Sequence, residues 1–457
     1  MIRALVLICA LLATPALAGS SVHRTPDGHE YHHIEIAGAQ RVGLALRWAG
    51  TLDGLTREDA SVPLLAGVAV TRGPAGGRQA ADIVEDLADL DTAVSVNVSL
   101  GGASLFVAAP QEALGEAADI VADLAARPAL EPRWVARERD RLADAQINLR
   151  DRTSVAARRM IGALTIRDPA AEAFVASEPE AIRAVTDDQV AAWHRRMLAG
   201  GIVAIATAGP VDHARMGAVI DRIVAALPKG TVEPAPPAPV EVDMSARAAV
   251  LRIANPNGTY VAFAGPVPGG PVVSQAAEIA VDLLGDGTGS RLFRDVRLGA
   301  RASYNMRTSG FDLVPGRKVF AIEGDLATAS FARGLDAVRE SYERWRRGDF
   351  TAAEIDRARR VHVDHVDLPW RNPSVAAVTL AARMARERPD GPFATGELRP
   401  DLSAVPDEAV REAARRFPPF DELVRIVLTR DVETALEKFP GACVVERLAR
   451  ARRCLSR

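Results

Sequence analysis

Leu284-Gly-Asp-Gly-Thr-Gly-Ser-Arg-Leu-Phe-Arg-Asp-Val-Arg-Leu-Gly-Ala-Arg-Ala-Ser-Tyr304 ends one helix, crosses a glycine-rich turn and starts a second helix at about Ser290. Arg297 closes that helix, a loop runs through Gly299, and a strand over 303–309 carries Tyr304. The loop can fold the guanidinium and the phenol toward one point. A fork of N–H donors holds a carboxylate or a peptide carbonyl, and a phenol O–H donates to an oxygen that is gaining negative charge. The same spacing also suits an exposed arginine at a helix end and a half-buried strand tyrosine, so spacing alone leaves both readings open.

Working outward, residues 259–265 read as a strand before a helix from about Ser274 that leads into the glycine-rich turn. A strand over 319–324 and helices over 330–347 and 352–365 follow. The first half repeats this order. A strand over 41–50 precedes a helix from about Ser61, then come a helix over 83–90, strands over 93–100 and 103–109, and helices over 112–126 and 132–148. The offset is roughly 210 residues, too long for a solenoid repeat and suited to a duplicated domain. Thr231-Val-Glu-Pro-Ala-Pro-Pro-Ala-Pro-Val240 is proline-rich and short of glycine, an extended linker between the copies. The reading is an α+β chain: a leader over 1–18, a first domain over 19–230, a linker over 231–240 and a second domain over 241–457. Each domain is expected to be an antiparallel sheet with helices on one face.

Ser290-Arg-Leu-Phe-Arg-Asp-Val-Arg297, ending seven residues before Tyr304, resembles the C-terminal-half signature of the insulinase/pitrilysin family of zinc peptidases, which includes the mitochondrial processing peptidases. That signature runs Ser-Arg-Leu-x-x-x-Val-Arg and is followed by a Gly-Leu-x-Tyr strand start. This chain keeps Ser-Arg-Leu, Val-Arg and Tyr but has Arg301-Ala302 where Gly-Leu is usual. The resemblance implies two domains facing each other like a clamshell over nearly all of the chain. It maps the family's substrate-binding and reaction-assisting pair onto Arg297 and Tyr304. By analogy with the glycine-rich loop of the processing peptidase's non-catalytic subunit, it places substrate contacts at Gly287, Gly289, Ser290 and Arg291.

The family's zinc motif is His-x-x-Glu-His on the first long helix of the N-terminal half, with a glutamate on a later helix. The corresponding stretch, Ser61-Val-Pro-Leu-Leu-Ala-Gly-Val-Ala-Val-Thr-Arg-Gly73, has no histidine, aspartate or glutamate, and Glu138-Arg-Asp-Arg-Leu-Ala-Asp-Ala145 places alanine about where the later ligand falls. Aliphatic side chains have no lone pair to offer, so this chain is expected to bind no zinc in the family's manner. His29-Glu-Tyr-His-His33 formally fits His-Glu-x-x-His, the order used by helical zinc proteases. Here it follows an Asp27-Gly28 turn and alternates like a strand, where residues four apart lie about 13 Å from each other. A plain first strand is the reading. His362 and His365, near a helix end, read as solvated or dipole-compensating. The turn 285–289 lacks the lysine of a phosphate-binding loop, and no Gly-x-Ser-x-Gly elbow occurs.

The N-terminus has a secretory leader's parts: a charge at Arg3, an apolar run from Ala4 to Ala13 and Ala16-Leu-Ala18 before Gly19. Export to the periplasm with cleavage after Ala18 is expected. No later run is long and apolar enough for a membrane helix. A net charge of −3 over 457 residues offers no basic field for nucleic acid. Of three cysteines, Cys9 lies in the leader, and Cys443 and Cys454 could pair across the tail. The tail from Glu446 reads as a short basic helix docked by Leu448 and Cys443.

The resemblance then implies a subunit inert alone. A paralogous zinc-binding peptidase subunit would hold the metal, and this chain would add Arg297 and Tyr304 to unfolded peptides in the shared chamber. A catalytically inactive scaffold or peptide-binding protein of the same fold is the alternative. A third possibility, an autonomous zinc enzyme built on His29 and His33, predicts about one zinc per chain.

Overall fold

The computed structural model describes residues 19–150, 152–230, 239–253, 258–269 and 274–456. The expected leader and residues 231–238 of the linker lie outside them. The first half runs β1 (Ser21–Arg24), β2 (Glu30–Ile34), β3 (Val42–Trp48), α1 (Val62–Ala69), α2 (Ala80–Asp89), β4 (Ala93–Ser99), β5 (Gly102–Ala109), α3 (Leu114–Ala126), α4 (Pro132–Arg150), α5 (Thr153–Thr165), α6 (Pro169–Val175), α7 (Pro179–Arg183), α8 (Asp187–Ala199), β6 (Ala204–Ala208) and α9 (His213–Ala226). The second runs β7 (Ala248–Arg252), β8 (Thr259–Pro266), α10 (Gln275–Gly285), a π-helical turn (Phe293–Gly299), β9 (Arg307–Val314), β10 (Arg317–Leu326), α11 (Phe331–Arg346), α12 (Ala352–Asp367), α13 (Pro373–Glu387), α14 (Thr395–Leu398), α15 (Asp407–Arg415), β11 (Val424–Thr429), α16 (Val432–Lys438) and β12 (Cys443–Val445).

The strands form two six-stranded sheets, ordered β1-β2-β6-β3-β5-β4 and β12-β7-β11-β8-β10-β9. Apart from the edge strands β1 and β12, the two halves share one topology. β3 lies antiparallel between β5 and β6 as β8 lies between β10 and β11, and β6 and β11 are flanked on their other side by a parallel strand, β2 and β7. The sheets are therefore mixed α+β sheets, antiparallel except where β2 meets β6 and where β7 meets β11 and β12. A parallel partner requires a long crossover, and the runs of helices between β5 and β6 and between β10 and β11 supply it.

Local sequence sets the helix starts. Thr351 and Glu354 form a capping box at α12, as Thr186 and Gln189 do at α8. Asn372 accepts from the Ser374 and Val375 amides ahead of α13, with Pro373 in its first turn.

Packing on one face of each sheet follows the one-sided expectation: α3 and α9 cover the first sheet, and α10, α11 and α15 the second. The opposite faces are covered too, and each by the other half. Met160, Ile161 and Leu164 of α5 pack on Ala262, Ala264 and Ile426 of the second sheet. Ala376, Ala377, Leu380 and Ala381 of α13 pack on Ala45, Ala204 and Ala206 of the first. α5 and α13 hold equivalent places in the repeat, so the exchange is reciprocal. It explains why β3 and β8 are buried on both faces where one covered face would leave every second residue exposed. Small residues let the layers meet. A Cβ on Gly43 would run into the Pro373 carbonyl at the start of α13.

Cys443 and Cys454 are joined in a disulfide, with Cα atoms 5.6 Å apart. Leu448, Ala451 and Cys454 are buried on α5, so the tail closes over the exchanged helix. Among the described residues no helix is long and apolar enough to cross a membrane.

Candidate functional site

The helix beginning at Arg291 does not remain α-helical to Arg297. From Phe293 to Gly299 it widens into a π turn, and the Ala300 amide bonds back to the Asp295 carbonyl at 2.9 Å. Such turns re-aim side chains. Here the Arg297 guanidinium lies 4.8 Å from the centre of the Phe293 ring and 5.5 Å from that of Tyr304, a cation–π arrangement with both. Arg297 also donates to the Tyr304 carbonyl at 3.4 Å. The sequence pair therefore meets in space.

Tyr304 is not on a strand, however. The expected strand over 303–309 begins only at Arg307, and Tyr304 sits in the preceding bend, 87% exposed. The loop reaches this course through Arg301, whose φ of 50° lies in the left-handed region. Glycine adopts that region freely, whereas arginine holds it at a cost of about 1 kcal/mol. The glycine of the usual signature has a backbone reason, and its replacement leaves the turn in place.

Arg297 lines a cleft of about 440 Å³ on the seam between the halves. One wall is the turn Gly285–Thr288 with Phe293, and the other is Thr153 and Ser154 at the start of α5. The floor is Tyr260 and Glu323, a pair the sequence reading did not single out. The Tyr260 hydroxyl donates to the fully buried Glu323 carboxylate at 3.0 Å. Arg307 and Arg158 approach the other carboxylate oxygen at 3.4 and 3.6 Å, Arg158 coming from the first half. Burial and the neighbouring Glu323 push the Tyr260 phenol well above its ordinary range, so it remains a donor. A sequence signal existed: Glu323 directly follows the apolar run Val319–Ile322 on β10, and a charge in such a place is buried only where cations meet it.

The four substrate contacts placed on the turn divide. Gly287, at φ 72°, lines the cleft. Gly289 is the crossing point for Arg357, whose side chain fills the space a Cβ would need. Ser290 is buried, and its hydroxyl accepts from the Phe293 amide at 3.3 Å as a helix cap. Arg291 turns from the cleft to Glu354 at 3.2 Å and to the Asp349 carbonyl. In this structure Ser290 caps the helix, and Arg291 joins Arg294 in pairing with Glu354, which is buried on α12. Burial pushes the Glu354 carboxyl up, but the Thr351 amide and the two guanidiniums outweigh it and hold it at about 2. A carboxylate depressed in the fold and ordinary (4.5) when unfolded stabilises fully above pH 4.5, and the contribution is lost as pH falls toward 2. Denaturant titrations at stepped pH should show that loss. In Glu354→Gln the curve should be flatter over this window and lower at pH 7, where Arg291 and Arg294 lose their shared carboxylate.

The positions where the family resemblance would put zinc do not fit a metal. α1 presents Val62, Leu65, Ala66 and Ala69 to the core. On α4, Ala143 is fully buried and Glu138 is paired with Arg141 at 2.8 Å. His33, on β2, bonds Thr207 at 2.9 Å through Nδ1, and burial, with His213 and His23 nearby, holds it down to about 3. His29 precedes the strand, so the two do not share a helix face.

A family model described as the peptidase M16 inactive domain matches residues 184–361, which include the glycine-rich turn, Arg297 and Tyr304. No curated protein sequence matches the chain. Among solved structures, the peptidase M16 inactive domain from Pseudomonas fluorescens is similar at a TM-score of 0.73 and 18% identity, over 90% of this chain and 98% of that one. The periplasmic protease PqqL from Escherichia coli is similar at 0.67 and 14%, over 94% of this chain and 48% of that one. A chain of Complex III2 from Candida albicans is similar at 0.71 and 11%, over 96% of this chain and 100% of that one. At these identities the likeness is one of fold.

Proposed function

We propose that this chain, which carries the peptidase M16 inactive domain and is of the insulinase-like, non-zinc-binding type, is the complementing subunit of a heterodimeric periplasmic peptidase. A paralogous subunit holds the zinc, and this chain presents Arg297 and Tyr304 to the substrate. One observation carries the reading: an arginine that lines the cleft and stacks on an exposed phenol, in a chain whose α1 has no metal-binding side chain.

The chemistry assigned to each residue follows from its placement. Arg297, held between two rings, offers its remaining N–H groups to a carbonyl or carboxylate of the bound peptide. The Tyr304 hydroxyl donates to the carbonyl oxygen of the bond under attack. Gly287 lets substrate backbone approach the turn. β9 begins three residues beyond Tyr304 and, among the described strands, pairs only with β10. Its outer edge suits an extended peptide adding as a strand, which favours unfolded substrates. The periplasmic placement rests on the leader-like 1–18 segment and on the fold shared with a periplasmic protease.

The test mixes the purified chain with its zinc-motif paralogue and follows cleavage of an unstructured peptide. Activity is expected in the mixture and absent from this chain alone. Cleavage by the paralogue unchanged by this chain would favour an inactive scaffold, a reading to which the Complex III2 likeness lends weight.

A further inference from the structure

We propose that Asp282, His362 and His365 form a binding site for a divalent transition-metal ion between α10 and α12, separate from the cleft and independent of the function proposed above. Their ligand atoms lie within 4.8 Å of one another, and among the described residues no other group of three or more does so. Both histidines face the aspartate rather than solvent alone. His362 Nδ1 lies 2.7 Å and His365 Nδ1 3.4 Å from the same oxygen, Asp282 Oδ2. A tetrahedral ion with bonds of 2.0–2.1 Å separates its ligands by about 3.3 Å, so small side-chain shifts admit it.

The groups behind this set are arranged as around a bound ion. His362 Nε2 is 3.1 Å from Gln275 Oε1 and 3.4 Å from Glu278, and His365 Nε2 is 3.1 Å from Asp286. Each imidazole is thus oriented through the nitrogen that would not bind metal. Two carboxylates, Asp282 and Asp286, flank His365 and make the place hospitable to positive charge. His362 is buried while His365 is half-exposed, which gives a rigid base and an open side for entry.

Two imidazoles and one carboxylate favour a borderline ion such as Zn²⁺ over Mg²⁺ or Ca²⁺, which prefer all-oxygen sites. Asp286 both touches His365 and lines the cleft. An ion here would therefore brace the glycine-rich turn beside Arg297.

The experiment titrates the full chain with Zn²⁺ at pH 7 by isothermal calorimetry, with Mg²⁺ in parallel. One zinc per chain is expected at this site. His365→Ala, at a half-exposed position that the fold tolerates, and Asp282→Asn should each weaken it by at least about tenfold. His213→Ala, in the separate group formed by His23, His33 and His213, should leave it unchanged. No zinc binding, or binding that survives His365→Ala but is lost in His213→Ala, overturns the proposal. Circular dichroism of each variant separates a lost site from a lost fold.

Discussion

In the reconstituted heterodimer, Tyr304→Phe is expected to lower kcat by about 10²- to 10³-fold, the usual effect of removing one donor to a developing oxyanion. The substitution deletes only a hydroxyl from a side chain 87% exposed in the free chain, so stability should not change. Arg297→Ala should act differently. It removes a cation seated between Phe293 and Tyr304, so it weakens peptide binding and also releases the tyrosine from its bend. KM should rise and kcat fall together. Arg297→Lys should not restore activity, because an ammonium offers neither the planar fork nor the flat face that stacks on both rings. Steady-state kinetics of the mixture with each variant decides the matter. Full activity in both Tyr304→Phe and Arg297→Ala would leave the chain no chemical part in the reaction.

Leu380→Ala and Ile161→Ala are each expected to destabilise the chain by about 2–5 kcal/mol, as fully buried aliphatic truncations do. Where the loss is felt is the sharper test. Leu380 lies in the second half of the sequence but packs on the first sheet, and Ile161 lies in the first half but packs on the second. Each substitution should lower hydrogen-exchange protection in strands of the opposite half. Denaturant should unfold the chain in one transition, since neither sheet keeps both faces covered once the other half leaves. Two separate transitions, or protection lost only within the mutated half, would show that the exchanged helices do not couple the sheets.

The two-copy architecture was legible because its signals are local. Alternation over 41–50 and the matching run 259–265 marked the central strands, and the capping residue Thr351 lies where α12 starts. That no histidine, aspartate, glutamate or cysteine stands between Ser61 and Gly73 can also be read directly. The meeting of Arg297 with Tyr304 was likewise within reach, because both lie on one short loop.

What the sequence alone determined, then, were the elements of the repeated core, their duplication and the residue types at each candidate position. Tertiary structure decided which element covers which sheet and which charges meet. α5 and α13 carry apolar faces that suit either sheet, and only the closed fold assigns each to the far one. Arg291 and Arg297 stand six apart on one short helix, yet the first neutralises Glu354 and the second lines the cleft. The π turn between them and the burial of Glu354 on a distant helix separate their roles. Asp282 and the two histidines stand some 80 residues apart (282 against 362 and 365). Periodicity reports which face of a helix is apolar, whereas the partner of a buried charge is fixed by contacts between distant segments, where desolvation is offset only by an opposite charge brought there by the fold.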